Sequence, residues 1–569
     1  MGWKRIHTVL VVLILLTGLI IRLIPLIPPE LNLLQHSKDD AFYLYCIANN
    51  LVNGHGLSFD GVSSTSTARP LFVLLLAAIE ILFGKTNLPQ IAYLFGAIAD
   101  CLAGYFIFRF LRRLKIAPVA AIMGMAFYIF SSRIIYHGVN GMETPFGMLS
   151  IAITLNLYPL AEDRHSKKIV LAVGRGLAMA VMMLIRLDYV FIVATALIAE
   201  LWWGIRKKNW YWLLVGSVTG LVMLPWVWWS LSTFGQLMPP SGDALAMIFG
   251  FKPSSGLSGI LDQMIYLYYA LNNPLHMLIF LFQMDWAVVI GFGFIFISYI
   301  FTRKSIFKTK KLVDLSILLL VIILAVLTMF IDRVRFLTFI VFVLFIFYVA
   351  IKLYREKSEF YRVLNNIAPL AFGILAMVLY FGLIRRYFRG WNMIEGDVFI
   401  SAILSSLLAV IWNKKAGVLN SILIVTWVMI ANIVIAYPCL EKGPVPWQDR
   451  LVRAADWIKT NTDKNTVVAS ANAGILQWYG ERTIVDVAGI EDEAAYKALR
   501  EKKLYQYLKV RGVRYLIDPP SWPFDSYKDY WGVDISQKLE IVYNTDPEHK
   551  DKYNFPVEEE FLVLVFKLK

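Results

Sequence analysis

The sequence predicts an α-helical polytopic membrane protein with a small α/β domain at its C-terminus, and three observations carry that prediction. Hydrophobic residues make up 58% of the 569 positions and charged residues only 17%, with a mean hydropathy of +0.61, too apolar for a water-soluble chain of this length. Apolar runs near 20 residues recur, for example at 9–27, 91–111, 119–136, 213–231, 312–331 and 419–437, and about 20 helical residues cross a hydrocarbon core of about 30 Å. Beyond residue 440 charge density rises and short alternating runs replace the long apolar ones.

The formal charge of +14 is not the footprint of a nucleic-acid binder. Its Lys and Arg residues stand in short clusters between apolar segments, as the positive-inside rule requires. Cys46, Cys101 and Cys439 form no CxxC pair, so neither a zinc site nor a disulfide framework is indicated. Lys4 and Arg5 precede an apolar run too long for a signal peptide and without a small-residue cleavage site, which predicts an uncleaved anchor with a cytoplasmic N-terminus.

The order of crossings turns on the apolar run at 71–83. At thirteen residues it falls in the range of interfacial or re-entrant segments. If it stays on the outer face, the basic clusters at 112–115, 164–168, 206–208, 303–311, 352–362 and 414–415 all fall inside, and if it crosses, all fall outside. The first arrangement gives about thirteen crossings, at 9–28, 90–111, 118–136, 145–161, 169–185, 189–205, 211–231, 277–301, 312–331, 335–353, 365–384, 397–412 and 417–437. Residues 1–439 then form a plasma-membrane domain whose outer loop spans 28–89, and residues 440–569 form an extracytoplasmic α/β domain. Within the latter, 466–469, 483–487, 515–517, 539–543 and 561–566 read as strands, and 447–459 and 491–507 as helices.

This topology gathers polar residues on one side of the membrane. The first outer loop carries Asp39, Asp40, Asn49, Asn50, His55 and the stretch from Ser63 to Arg69; the second carries Arg133, His137, Asn140 and Glu143; later helix ends carry Arg186, Asp188, Asp332, Arg333, Arg335, Arg385, Arg386, Arg389, Glu395 and Asp397. Ionisable groups at membrane depth are costly, so such a cluster around a shared cavity marks a functional site. Each has a structural alternative: Arg186 pairing with Asp188 at a helix end, Arg385, Arg386 and Arg389 snorkelling to the headgroups, His55 and His137 as hydrogen-bonded structural residues. Two adjacent carboxylates straight after a first helix exceed what a cap requires.

The string DDAFY at 39–43, ANNL at 48–51 and GHGLSF at 54–59 resembles the first outer loop of polytopic GT-C glycosyltransferases that take sugar from a polyprenyl phosphate. The likeness is strongest to the mycobacterial terminal arabinofuranosyltransferase type, with protein mannosyltransferases and the lipid A aminoarabinose transferase more distant. GMET at 141–144, RLD at 186–188, FGQLMP at 234–239, WYG at 478–480 and DVAGI at 486–490 follow in order. DRVRF at 332–336 looks like a shortened form of the family's later element, and Arg69 stands where the family has a small-Thr-Ser-Pro run.

The resemblance implies a GT-C fold and an inverting transfer of a pentose or hexose from a polyprenyl-phosphate donor to a glycan, lipid or protein acceptor at the outer membrane face. It makes Asp39 the first choice for general base, with Asp40 as the second acid. It gives the donor phosphate to Arg186, or to Arg333 and Arg335, with Asp188 beside them, and the substrates to Glu143, His55, Arg69 and His137. A divalent cation, Mg, Mn or Ca, held by Asp39 or Asp40 with Glu143 would suit carboxylate oxygens. The rival reading is a polytopic lipid or glycan transporter or flippase, against which stands the lack of paired halves in the sequence; a non-catalytic scaffold is the third. The bilayer is a partner under every reading, and nucleic acid under none.

Overall fold

The computed structural model describes residues 3–27, 29–67, 69–138, 140–158, 169–253, 359–387, 394–411, 445–545 and 563–569, with isolated positions between 259 and 266 and between 426 and 443. The predicted spans at 277–301, 312–331 and 335–353 lie outside the described residues, and 417–437 does so apart from isolated positions.

Among the described residues, five helical segments are long and apolar enough to cross a membrane: Arg5–Leu26, Lys85–Arg113, Leu187–Arg206, Tyr211–Phe234 and Glu359–Arg385. They belong to α1 (Trp3–Leu23), α5 (Leu88–Arg113), α10 (Val190–Arg206), α11 (Tyr211–Phe234) and α13 (Glu359–Leu379). Shorter apolar helices among the described residues pack with them: α4 (Pro70–Phe83), α6 (Pro118–Ile129), α8 (Thr144–Leu157), α9 (Ile169–Ile185) and α14 (Gly396–Ile411). Side chains such as Leu13, Ile20, Leu221 and Trp228 are more than half exposed, the surface a lipid-facing helix presents and a water-facing one avoids. The chain is therefore a membrane protein.

Inside the bundle, ion pairs join helices. Arg22 Nε donates to Asp100 Oδ2 at 2.5 Å, the Tyr128 hydroxyl donates to Asp100 Oδ1 at 2.6 Å, and Arg22 also reaches the carbonyls of Gly18 and Ile129. Arg175 pairs with Glu200 at 2.8 Å. In a medium that cannot solvate charge, such pairs persist only when mutually satisfied.

The predicted span at 118–136 is broken. α6 stops at Ile129, and α7 (Ser132–Gly138) restarts after Ser131, whose Oγ accepts from the N–H of Ile134. A serine side chain that caps a new helix offers the backbone an alternative to continuing the old one.

Both ends of α4 lie at the same face of the bundle. Arg69, just before it, pairs with Glu143, and Lys85, just after it, sits 4.8 Å over the ring of Trp478 in the soluble domain. The opposite face collects Arg112, Arg113, Arg206 and Lys207 at the ends of α5 and α10, and there Arg362 at the start of α13 donates to the Leu114 carbonyl. Between α1 and α4 run two helices on the soluble-domain face, α2 (Pro29–His36) and α3 (Asp39–Val52), and α12 (Ser241–Phe249) lies there too.

Among the described residues the C-terminal domain holds a five-stranded sheet in the order β2-β1-β3-β5-β4. The strands are β1 (Val467–Ser470), β2 (Thr483–Asp486), β3 (Val513–Asp518), β4 (Leu539–Asn544) and β5 (Leu564–Leu568), so each predicted strand is present. β1 pairs in parallel with β2 and β3, and β5 pairs antiparallel with β3 and β4. Parallel neighbours need crossovers; α16 (Ala473–Gly480) joins β1 to β2, and α17 (Glu493–Arg500) with α18 (Leu504–Val510) joins β2 to β3, after α15 (Asp449–Asn461). The helix predicted at 491–507 is thus two helices, broken where Lys502 takes the left-handed conformation at φ 55°.

Because β1 has β2 on one side and β3 on the other, the chain reverses its winding there. In such sheets the crevice beyond the carboxyl ends of the strands is where ligands bind. Here α3 fills it.

Candidate active site at the domain seam

Asp39 and Asp40 open α3, and their fates differ. Asp39 is buried. The N–H of Ile475 donates to its Oδ1 at 2.7 Å and the N–H of Gly474 to its Oδ2 at 3.3 Å, so its carboxylate satisfies the first turn of α16. A carboxylate at a helix N-terminus is favoured by the orphan amides and by the dipole. The Asp39 N–H in turn donates to Gln448 Oε1, whose Nε2 donates to the carbonyls of Leu34 and Ser37. Four residues on, the Tyr43 hydroxyl donates to the Ala471 carbonyl and accepts from the Ala473 N–H. Gly474 must be glycine, since a Cβ there would lie 2.4 Å from the Asp39 carbonyl oxygen. Asp39 and Tyr43 therefore occupy the sheet crevice as a bound ligand would.

Asp40, one residue on, is half-buried and lies within electrostatic reach of Glu491. Glu491 belongs to the turn after β2. There Asp486 accepts from the N–H groups of Ala488, Ile490 and Glu491, which fixes the turn. The loop between α3 and α4 locks onto this turn: Thr65 donates to Glu491 at 2.6 Å, Ser66 to Glu493 at 2.7 Å and Thr67 to the Ile490 carbonyl at 2.6 Å, while Asp60 pairs with Arg511. Gln236, after α11, also reaches Glu493.

From this seam a ladder of charges enters the bundle. Arg69 pairs with Glu143 at 2.9 Å, and Glu143 stands 3.7 Å from Arg186. Arg186 holds Asp188 through two nitrogens, at 3.1 and 2.6 Å, and Glu395 at 2.7 Å; Tyr189 donates to the same Glu395 oxygen. Arg133 faces Asp397 at 3.7 Å. Gly141, at φ 76°, lets the chain turn beneath α3, where a Cβ would meet the Tyr45 hydroxyl at 2.5 Å. Arg186 is thus surrounded by carboxylates, whereas the Arg69 side chain keeps 26% of its surface exposed.

The structure brings together Asp40, Arg69, Glu143, Arg186 and Asp188 among the predicted site residues. His55 is exposed on the connecting loop. His137 lies on α7, its side chain outside the described residues, and Arg333 and Arg335 lie outside them altogether. Thr65 falls within the polar stretch from Ser63 to Arg69, whereas Glu491 and Tyr189 lie outside the predicted set; the sequence signal for Glu491 is the acidic run EDE directly after the DVAGI string.

The set proposed for a divalent cation does not fit one. Asp39 gives both oxygens to amides and Glu143 faces two guanidiniums, and among the described residues no three His, Cys, Asp or Glu side chains converge on a common point.

A family described as "Domain of unknown function (DUF8728)" matches residues 445–555, within the soluble domain. No curated protein matches the chain by sequence. Two solved structures are similar over 100% of this chain and 98% of their own: ArnT from Cupriavidus metallidurans bound to undecaprenyl phosphate, at 11% identity and a TM-score of 0.46, and the same protein in the apo state, at 12% and 0.44.

Proposed function

We propose that the protein is an inverting glycosyltransferase that moves a sugar from a polyprenyl-phosphate donor to a hydroxyl acceptor at the outer membrane face. One observation carries the reading: a half-buried acid, Asp40, and a partly accessible guanidinium, Arg69, both act on Glu491 at the seam, and Arg69 is paired with Glu143, which Arg186 faces from its other side. The ordered motifs from DDAFY to DVAGI support it.

In this chemistry Asp40 takes the proton of the acceptor hydroxyl. The acceptor oxygen forms the new bond to the anomeric carbon from the face opposite the donor, and the bond to the lipid phosphate breaks, its electron pair leaving on the phosphate oxygen. Arg69 binds that oxygen, since a fixed guanidinium stabilises charge that develops as the bond breaks. The resemblance favours Asp39 as base, but with both oxygens turned into α16 it docks the soluble domain and leaves the proton transfer to Asp40. Arg186, ringed by carboxylates, holds the scaffold on which Arg69 and Glu143 stand.

The test is transfer by the full-length protein from undecaprenyl-phosphate-linked pentoses and hexoses, with alkyl glycosides and the host membrane fraction as acceptors. Sugar-dependent product with an inverted anomeric centre supports the reading. Donor flipping across vesicles without any transfer would favour a transporter instead.

A further inference from the structure

At the basic end of the bundle a half-open cleft of about 580 Å³ lies between α5, α8 and α9. The transfer chemistry does not use it: Glu143 and Arg186 stand at the opposite ends of the same α8 and α9. α5 lines the cleft with Phe106, Arg109 and Arg113, α8 with Ile153, Asn156 and Leu157, and α9 with Leu171. Its volume falls in the range of roughly 300–1,000 Å³ that small-molecule sites occupy.

Hydrogen bonds build the frame. Asn156 Nδ2 donates to the Phe106 carbonyl at 2.8 Å and to the Ala152 carbonyl at 2.9 Å, which ties α8 to α5. Arg113 Nη1 donates to the carbonyls of Asn156 and Tyr158 and so closes the C-terminal end of α8, where a cation is favoured. Arg109, one turn back along α5, is placed differently. It is exposed, its guanidinium stands 6.0 Å from the centre of the Phe106 ring, and among the described residues no carboxylate or carbonyl pairs with it.

A guanidinium at the edge of the hydrocarbon is costly unless an anion meets it. None of the described residues that line the cleft is acidic, so the anion has to come from outside them. The remainder of the lining is apolar, and Phe106 and Ile153 extend it about a turn further toward the middle of the bilayer than Arg109 and Leu157. A phosphate carried on acyl chains matches a charged rim above an apolar floor; a free phosphate matches only the rim.

We propose that the cleft binds one anionic phospholipid of the cytoplasmic leaflet, its phosphate on Arg109 and Arg113 and an acyl chain against Phe106, Ile153, Leu157 and Leu171. The positive-inside rule supports the choice of leaflet, because Arg112, Arg113, Arg206 and Lys207 gather at this end. Basic pockets between helices on that side suit anionic headgroups. A lipid seated there clamps the ends of α5, α8 and α9 together, and steadies the two helices that carry Glu143 and Arg186 at their other ends.

The experiment titrates delipidated full-length protein in a neutral detergent with phosphatidylglycerol, phosphatidylcholine or inorganic phosphate, counting bound lipid by native mass spectrometry and following the melting temperature. Wild type should take up a single phosphatidylglycerol about tenfold or more tighter than phosphatidylcholine, the worth of a hydrogen bond to a charged group. It should also melt at a higher temperature with that lipid bound, and inorganic phosphate should give no comparable rise. Arg109→Gln should lose the preference between the lipids, and Leu171→Trp, which fills the cleft without a change of charge, should lose the bound lipid. Arg206→Gln, which removes a cation from the same face outside the cleft, should bind like wild type. Because Arg109 is exposed, its variant carries the test if Leu171→Trp fails to fold. The inference fails if wild type does not distinguish the two lipids, if Arg109→Gln keeps the preference, or if folded Leu171→Trp keeps the lipid. It fails equally if Arg206→Gln weakens binding as much as Arg109→Gln does, or if inorganic phosphate raises the melting temperature as far as the lipid.

Discussion

Asp39 Oδ1 lies 2.7 Å from the backbone nitrogen of Ile475, 436 positions away in sequence. One hydrogen bond thus joins α3 to α16, in the crevice where doubly wound domains hold ligands. Replacing Asp39 with Ala should cost about 1–2 kcal/mol, the range for a lost helix cap. Hydrogen exchange at the amides of Gly474 and Ile475 should then accelerate by about 5–30-fold. Unchanged exchange there would show that Asp39 does not hold α16.

Arg69 and Arg186 should separate by phenotype. Arg69→Ala removes an accessible cation and should raise the donor KM about tenfold or more while the protein stays folded. Arg186→Ala leaves Glu143, Asp188 and Glu395 without their shared partner, a break that typically costs about 3–5 kcal/mol, and should show first as a lower melting temperature in detergent. The reverse pattern would return the phosphate to Arg186.

Within the bundle, Asp100→Leu alone strands the guanidinium of Arg22, which is buried against Asp100 and Tyr128. The single change should destabilise by about 3–5 kcal/mol, whereas Arg22→Met with Asp100→Leu should recover most of the loss, because two well-packed apolar side chains replace an ion pair at little net cost. Equal destabilisation by the single and double variants in equilibrium unfolding would argue against the pairing.

Asp518 closes the sheet crevice. Burial raises its carboxyl from 3.8 to about 8 against the N–H of Ala471, the hydroxyl of Ser470 and the N–H of Asn472, which lower it, with Asp39 adding to the rise. A carboxyl raised on folding stabilises the fold fully below its unfolded value and loses that contribution as pH climbs through the folded value. The domain should therefore weaken between about pH 4 and 8, the window those two values set. Exchange protection of the β1 and β3 amides, corrected for intrinsic rates, should fall from pH 5.5 to 8.5, and Asp518→Asn should flatten that fall.

The bundle and the sheet were legible because both follow period and composition: apolar runs mark the helices, and alternation marks β1 to β5. Helix breaks were less so. The stop at Ile129 depends on one serine hydroxyl, and the break at Lys502 on a single left-handed residue in an otherwise helical string. Asp39 and Asp40 look equivalent as neighbours in sequence, and only the approach of α16 separates them. Glu491 lies more than 400 positions from Thr65, a pairing that local pattern does not encode. The acids and arginines were visible as a set; which of them touch was not.

The most direct measurement is transfer by Asp40→Asn and Asp39→Asn, assayed side by side at equal folded concentration with the same undecaprenyl-phosphate-linked sugar. Asp40→Asn removes the base while keeping its size, and kcat should fall by about 100-fold to 10,000-fold, the range for general-base catalysis. Asp39→Asn should lose far less, in proportion to weakened docking of the soluble domain. Near-normal turnover by Asp40→Asn, with the large loss at Asp39→Asn, would contradict the assignment and return the base to Asp39.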